Sequence, residues 1–245
     1  MATNAKFTGA EAQDAERRFY GRMVLAVIIA IFIGFAPSFY LFQMVSYPRP
    51  NPSLTPLVMV HGIALTGWLA IFYTQIRLVA AKRRDIHRQL GVWGFALAVI
   101  IIPLSYLTAT HAIARGTPPP IIDAESWSVV PLMALPPMIL MLIMGWRNRM
   151  DPQAHKRFML LFTLMMVEPG VGRWPIFPPV MVGHAVSGLV AFAFVVPLIL
   201  WDRKTIGGLH WATKWGLGAL IFGYFVRYPI WALGFWPDVV RALPY

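Results

Sequence analysis

The amino-acid sequence predicts an all-α fold, a transmembrane bundle of about seven helices with the N-terminus inside and the C-terminus outside. Three observations support this prediction. Of the 245 residues, 58% are hydrophobic and only 13% are charged, which is too little polar surface to cover a soluble globule of this size. The apolar runs reach about 20 residues, the length that crosses a hydrocarbon core of roughly 30 Å. The basic residues lie in short clusters between these runs.

The apolar runs divide the chain into a cytoplasmic tail, residues 1–22, a seven-helix domain, residues 23–240, and a short C-terminal tail, residues 241–245. The fifth run is unusual, because its clean apolar stretch ends at Val167 and Glu168-Pro169-Gly170 follows. This sequence predicts a broken helix. Pro37 is expected to kink the first span. The predicted spans cover residues 23–47, 55–76, 87–112, 126–146, 155–167, 179–201 and 211–236.

The distribution of charge sets the orientation. With the N-terminus in the cytoplasm, 16 of the 21 Lys and Arg residues fall inside and five outside, as the positive-inside rule requires. The net charge of +11 therefore reflects membrane orientation, and nucleic acid is not an expected partner. The chain has no cysteine, which excludes disulfides, thiolate metal sites and iron–sulfur clusters.

The six histidines divide between the two faces of the predicted bundle. A neutral imidazole ligates haem iron or another metal, and histidines on facing helices build cofactor sites in bundles. His61 and His184 are the first candidates for binding haem b, and small residues beside His184 leave room for a flat macrocycle. The same two residues with His111 form a candidate metal site. A second haem at the inner face would use two of His87, His155 and His210, although a histidine at a helix start needs no special role.

Glu168 lies within an apolar run, where a carboxylate is costly unless it is paired or faces water. The depths of Arg173 and Arg227 allow both residues to converge with Glu168 and the outer histidines on one buried polar pocket. Two interpretations remain open. The pocket is a substrate site, or the charges form an ion pair that only locks two helices together.

Two short motifs also carry a resemblance. His87-Arg88-Gln89-Leu90-Gly91 and His155-Lys156-Arg157-Phe158-Met159 resemble paired motifs in uncharacterised bacterial multi-pass membrane proteins. This resemblance implies a bacterial inner-membrane protein but no particular reaction. The histidine layout is also similar to that of transmembrane di-haem cytochromes b, except that the inner histidines here lie at helix starts.

The sequence leaves three functions open. The first is haem-dependent electron transfer across the membrane. The second is transport or binding of a small molecule or lipid at an outward-facing Glu-Arg-His pocket. The third is a non-catalytic role as a subunit or assembly factor of a membrane complex. The expected partners are the lipid bilayer and, in the last case, other membrane subunits; whether the chain is an enzyme stays open.

Overall fold

The structure is a computed structural model that describes residues 9–45, 54–118, 122–177 and 181–243. These residues form helices joined by turns, with no strand among them, which confirms the all-α prediction. Six helical segments in the described ranges are long and apolar enough to cross a membrane, as in a multi-pass membrane protein. They cover residues 9–40, 56–80, 84–114, 124–147, 184–206 and 211–233.

The described residues contain twelve α-helices, several of which are consecutive pieces of one broken segment. In chain order they are α1 Gly9–Phe35, α2 Pro56–Ala80, α3 Arg84–Ala114, α4 Ala124–Trp127, α5 Val129–Arg147, α6 Pro152–Leu164, α7 Val167–Val171, α8 Met181–Ala193, α9 Val196–Ile206, α10 Trp211–Phe225, α11 Arg227–Leu233 and α12 Trp236–Arg241.

The first helix is longer than the first predicted span. It begins at Gly9, so the second half of the predicted tail is helical and continuous with the span. A π-helical turn at Ala36–Tyr40 follows and contains Pro37, the residue predicted to kink this segment. Several predicted boundaries lie outside the described residues: 1–8 of the tail, 46–47 of the first span, 179–180 of the sixth span, and 244–245.

Prolines account for the breaks between consecutive helices. A proline lacks an N–H, and its ring clashes with the carbonyl of the residue four positions earlier, so the preceding helix ends there. α4, α8 and α10 each end four residues before a proline, and α6 ends five residues before one. Other prolines in α3 and α5 are accommodated without a break. The prolines at the four breaks are Pro131, Pro169, Pro197 and Pro229.

The α6–α7 segment lies at the centre of the bundle. Every side chain from Phe158 to Leu164 is buried. α6 packs mainly against α5 and α10, and α7 packs mainly against α1 and α8. A segment surrounded by other helices needs no long lipid-facing surface, which explains why its apolar run is short in the sequence. By contrast, the α2–α3 hairpin is largely exposed, as expected for helices that face lipid.

Two glycines let α7 enter the core beside α1. A Cβ atom on Gly34 would collide with the backbone carbonyl of Gly170, so the two backbones are in direct contact. Trp174 Nε1 donates a hydrogen bond of 2.9 Å to the carbonyl of Ala30 on the same face of α1. Small residues that allow such close approach are typical of helix contacts in membranes. This contact fixes the position of α7, which carries Glu168.

Candidate functional site

Glu168 and Arg227 form a buried ion pair in one half of the bundle. Arg227 Nη1 donates a 2.8 Å hydrogen bond to Glu168 Oε2, and Arg227 Nη2 contacts Glu168 Oε1. The side chain of Arg227 is 0% exposed and that of Glu168 is 7% exposed. A two-point guanidinium–carboxylate contact of this kind is both strong and geometrically specific. The structure thus joins two of the three residues predicted for the polar pocket.

Both partners lie where a broken helix restarts. Glu168 is the second residue of α7, and Arg227 is the first residue of α11. At each helix break, backbone carbonyl groups lose their helical hydrogen bonds. Such groups need new partners inside a membrane. Tyr224 Oη supplies one, because it donates a 2.7 Å hydrogen bond to the carbonyl of Leu164 at the α6–α7 break. The sequence predicted a broken helix at Glu168-Pro169-Gly170. The structure places the break between Leu164 and Val167, where the Pro169 ring excludes a helical carbonyl at Met165.

His184 faces the ion pair from α8. Its Nε2 lies 3.9 Å from Glu168 Oε1, too far for a hydrogen bond. This nitrogen is buried and has no hydrogen-bond partner among the described residues. The centre of the imidazole ring lies 4.7 Å from that of Trp127 and 6.1 Å from that of Trp231. An imidazole held by apolar rings therefore directs an uncommitted nitrogen towards a carboxylate.

Gly188, one helical turn beyond His184, brings the α8 backbone against the same pair. A Cβ atom at this position would lie 3.2 Å from Arg227 Nη2, 3.4 Å from Glu168 Oε1 and 3.5 Å from Tyr228 Oη. Three polar atoms from α7 and α11 thus converge on one point of α8. A side chain at position 188 would crowd the ion pair, so the packing favours glycine there.

These groups can couple proton binding to a rearrangement of the ion pair. Glu168 and Arg227 cancel each other's charge, and His184 in its neutral form adds none. A proton on His184 Nε2 would create a second cation beside Glu168 Oε1, the oxygen that Arg227 Nη2 contacts. The two cations would then compete for one carboxylate oxygen. Arg227 Nε, which is buried without a hydrogen-bond partner among the described residues, is a further donor available to a ligand.

Arg173, the third residue predicted for the pocket, lies elsewhere. Its Nη1 donates a 2.6 Å hydrogen bond to the carbonyl of Pro169, and its guanidinium lies 4.5 Å from the centre of the Phe35 ring. Arg173 therefore caps the exposed end of α7 rather than joining Glu168.

A second buried ion pair, which the sequence analysis missed, joins Arg157 of α6 to Asp202 of α9. Their side chains are 1% and 0% exposed. Arg157 donates to Asp202 Oδ1 from Nε at 3.1 Å and from Nη2 at 2.6 Å. Asp202 Oδ2 accepts from the backbone N of His210 at 3.0 Å and from Thr213 Oγ1 at 2.6 Å. Arg157 Nη1 completes the network by donating to the carbonyl and side-chain oxygens of Gln153.

The two ion pairs differ in how completely they are satisfied. Each carboxylate oxygen of Asp202 has two donors, so this network suits a rigid clamp between α6, α9 and the start of α10. The Glu168 cluster instead contains an imidazole nitrogen and a guanidinium N–H that find no partner in the described part of the chain. In the sequence, Arg157 and Asp202 lie at the edges of basic loops, where a charge is normally assigned to solvent. The sequence contains one indication of this pair, because Asp202 is the single acidic residue between positions 200 and 214.

The histidines predicted for an outer haem are on helices that do not lie side by side. α2, which carries His61, packs mainly against α1 and α3, whereas α8, which carries His184, packs mainly against α7 and α10. His61 Nδ1 and His111 Nε2 are buried without partners in the described part of the chain. No group of three or more His, Asp or Glu side chains suited to a metal ion occurs among the described residues.

Of the three histidines predicted for the inner face, two lie near each other and the third caps a helix. The ring centres of His87 and His155 lie 6.5 Å apart. His210 Nδ1 instead accepts a 3.2 Å hydrogen bond from the backbone N of Ala212 and caps α10. In a neutral ring this leaves the proton on Nε2, so His210 as it stands in the structure has no free lone pair for a metal.

A cavity of about 500 Å³ opens at the end of the bundle near α4 and α12. Its charged side chains are already committed. Arg241 binds Glu125 through two hydrogen bonds of 3.1 and 2.6 Å, and Asp123 caps α4 by accepting from the backbone N of Ser126. The Glu168 cluster is therefore the stronger candidate for a functional site.

Comparisons with protein families, with curated proteins and with solved structures found no match to this chain.

Proposed function

We propose that the protein is a transporter that moves a small carboxylate together with a proton, and that Glu168, Arg227 and His184 form its binding site. One observation carries this proposal: a buried ion pair stands at two helix breaks with an uncommitted imidazole nitrogen 3.9 Å away. Ionisable groups inside a membrane bundle are costly and commonly mark a transport pathway. Broken helices are the usual way in which transporters build substrate sites.

The proposed cycle begins with a proton on His184. The imidazolium competes with Arg227 for Glu168 Oε1, and Arg227 Nη2 becomes free to bind another anion. A carboxylate is the ligand that a guanidinium recognises best, because two parallel hydrogen bonds match its geometry. Arg227 Nε provides the second donor of such a pair. Trp127 and Trp231 supply apolar walls for the rest of the solute.

Charge balance favours this solute class. A carboxylate that enters with one proton adds no net charge to the interior of the bundle, whereas an anion or a proton alone would leave an uncompensated charge in a medium of low dielectric constant.

A role as a subunit or assembly factor of a membrane complex makes no use of the buried cluster. For this reason transport is the preferred function.

The proposal includes seven membrane passes, with α6–α7 as the fifth, and an N-terminus in the cytoplasm of a bacterial inner membrane. Two contacts support the fifth pass. Arg157 lies level with Asp202 and Thr213, near the adjoining ends of α9 and α10. Glu168 lies level with His184 and Arg227, at the opposite ends of the α8–α9 and α10–α11 segments. The positive-inside bias of the loops supports the orientation.

The function is tested with the full chain reconstituted into liposomes that contain a trapped pH-sensitive dye. Inward gradients of pyruvate, gluconate and glutamate are the probes, and glucose is the neutral control. We expect at least one carboxylate to carry protons into the vesicles, with no response to glucose and none in protein-free vesicles. A protein that moves protons with none of the three carboxylates would contradict the proposed function.

A further inference from the structure

We propose that His87 and His155 ligate one transition-metal centre through their two imidazoles, at the inner end of the bundle. This proposal does not depend on the transport function, since the pair lies at the opposite end of the bundle from the Glu168 cluster. His87 and His155 are two of the three histidines that the sequence offered for an inner haem, and the structure brings this pair together without His210.

The first support is the geometry of the two rings. His87 lies in the first turns of α3 and His155 in the first turns of α6, and their ring planes are nearly perpendicular, at 88°, with centres 6.5 Å apart. Two imidazoles bound to opposite sides of one metal, each with a metal–nitrogen bond of about 2.0 Å, have ring centres roughly 6 Å apart. The observed separation of 6.5 Å is close to that value.

The second support is the protonation pattern that the surroundings impose. His155 Nδ1 lies 2.8 Å from the carbonyl of Gly145. A carbonyl only accepts, so Nδ1 carries the hydrogen and Nε2 of the neutral ring holds the lone pair. Metal-binding histidines typically use their second nitrogen in this way, which fixes the tautomer and the ring orientation. His87 Nδ1 is buried and has no partner among the described residues.

The third support concerns the kind of metal centre. A zinc site takes three or four protein ligands, and no group of three suitable side chains occurs in the described ranges. A haem iron needs only two ligands from the protein, because the macrocycle supplies the other four. The cationic side chains of Arg84 and Arg88 lie within electrostatic range of His87. They would repel a bare divalent ion and attract the carboxylates of a haem.

The test begins with absorption spectra of the purified full-length protein, oxidised and reduced, and the iron, zinc and copper contents of the same sample. Metal-free protein is then titrated with hemin and, separately, with Zn²⁺. A haem centre predicts one iron per chain and the bands of a bis-imidazole haem. A free ion predicts instead one Zn²⁺ per chain and no such bands. Haem bands support the proposal, whereas one Zn²⁺ per chain without these bands would contradict the assignment of the centre to haem.

Variants assign the ligands. His87→Ala and His155→Ala should each lower bound metal about tenfold or more, whereas His210→Asn, which keeps a capping side chain, should not change it. His155→Asn is the second variant, because its amide nitrogen takes the position of Nδ1 and can still donate to the Gly145 carbonyl and preserve the fold. A protein that binds neither hemin nor Zn²⁺ would overturn the proposal. Metal retained by a double His87→Ala, His155→Ala variant would overturn it as well, since that metal is adventitious.

Discussion

Glu168 and Arg227, 59 positions apart in the chain, form their ion pair at the restart of two broken helices. Each charge is buried, so neither has water to replace a lost partner. Removing one partner from a buried pair strands the other charge and typically costs about 3–5 kcal/mol. The stability of this half of the bundle should therefore depend on both residues together.

We predict that Glu168→Gln lowers the thermal stability of the detergent-solubilised protein by an amount on this scale. The double variant Glu168→Gln, Arg227→Gln should recover part of the loss, because it leaves no unpaired charge. Asp123→Asn is the matched control, since asparagine keeps the ability to cap α4. Strictly additive losses in the double variant would show that the two residues do not act as direct partners.

Asp202→Asn should be at least as damaging as Glu168→Gln. Asp202 accepts four hydrogen bonds and neutralises the buried Arg157, so its loss strands a guanidinium and also weakens the start of α10. Asp238→Asn provides the comparison, because Asp238 is 81% exposed in its pair with Arg241 and exposed pairs contribute about 0–1 kcal/mol. Equal melting temperatures for Asp202→Asn and Asp238→Asn would contradict the role of the Arg157–Asp202 network as a rigid clamp between α6, α9 and α10.

Gly188→Ala tests the close contact between α8 and the ion pair. The added methyl group would lie 3.2–3.4 Å from atoms of Arg227 and Glu168, so we expect the pair to be displaced and carboxylate-driven proton uptake to fall. Gly218→Ala is the matched control, because nothing lies within 4 Å of that Cβ position and alanine favours helix. If both variants keep normal uptake, the close approach of Gly188 to the ion pair is not needed for transport.

The membrane topology is tested with reporters fused to the chain. We predict a cytoplasmic signal after Arg84 and a periplasmic signal after Tyr245, because seven passes place the termini on opposite sides and the basic loops stay inside. A cytoplasmic signal after Tyr245 would mean that α6–α7 does not cross the membrane, or that another segment does not.

The sequence was sufficient for those features that depend on local chemistry. Long apolar runs predicted the helices, and the carboxylate of Glu168 followed by Pro169 predicted a broken segment. Depth along the helices also placed Arg227 near Glu168. In the structure Arg227 donates a hydrogen bond to Glu168, and a charge in an apolar bundle has very few partners to choose from.

Other contacts depend on how helices pack, which residue spacing does not encode. Arg157 and Asp202 lie next to basic loops, and only the burial of α6 by its neighbours turns them into an interior pair. His61 and His184 were assigned to the same face of the bundle, but α2 packs mainly against α1 and α3, whereas α8 packs mainly against α7 and α10. The partnership of His87 with His155 likewise arises from the approach of α3 and α6, not from a spacing along the chain.

The central claim is that the Glu168 cluster exchanges protons, and His184→Gln tests it most directly. His184 Nε2 has no hydrogen-bond partner among the described residues, so a structural role predicts little effect from its loss. We expect His184→Gln to change stability by about 1 kcal/mol or less yet to abolish carboxylate-driven proton uptake in the dye-loaded liposomes. Uptake equal to that of the unmodified protein would contradict the account.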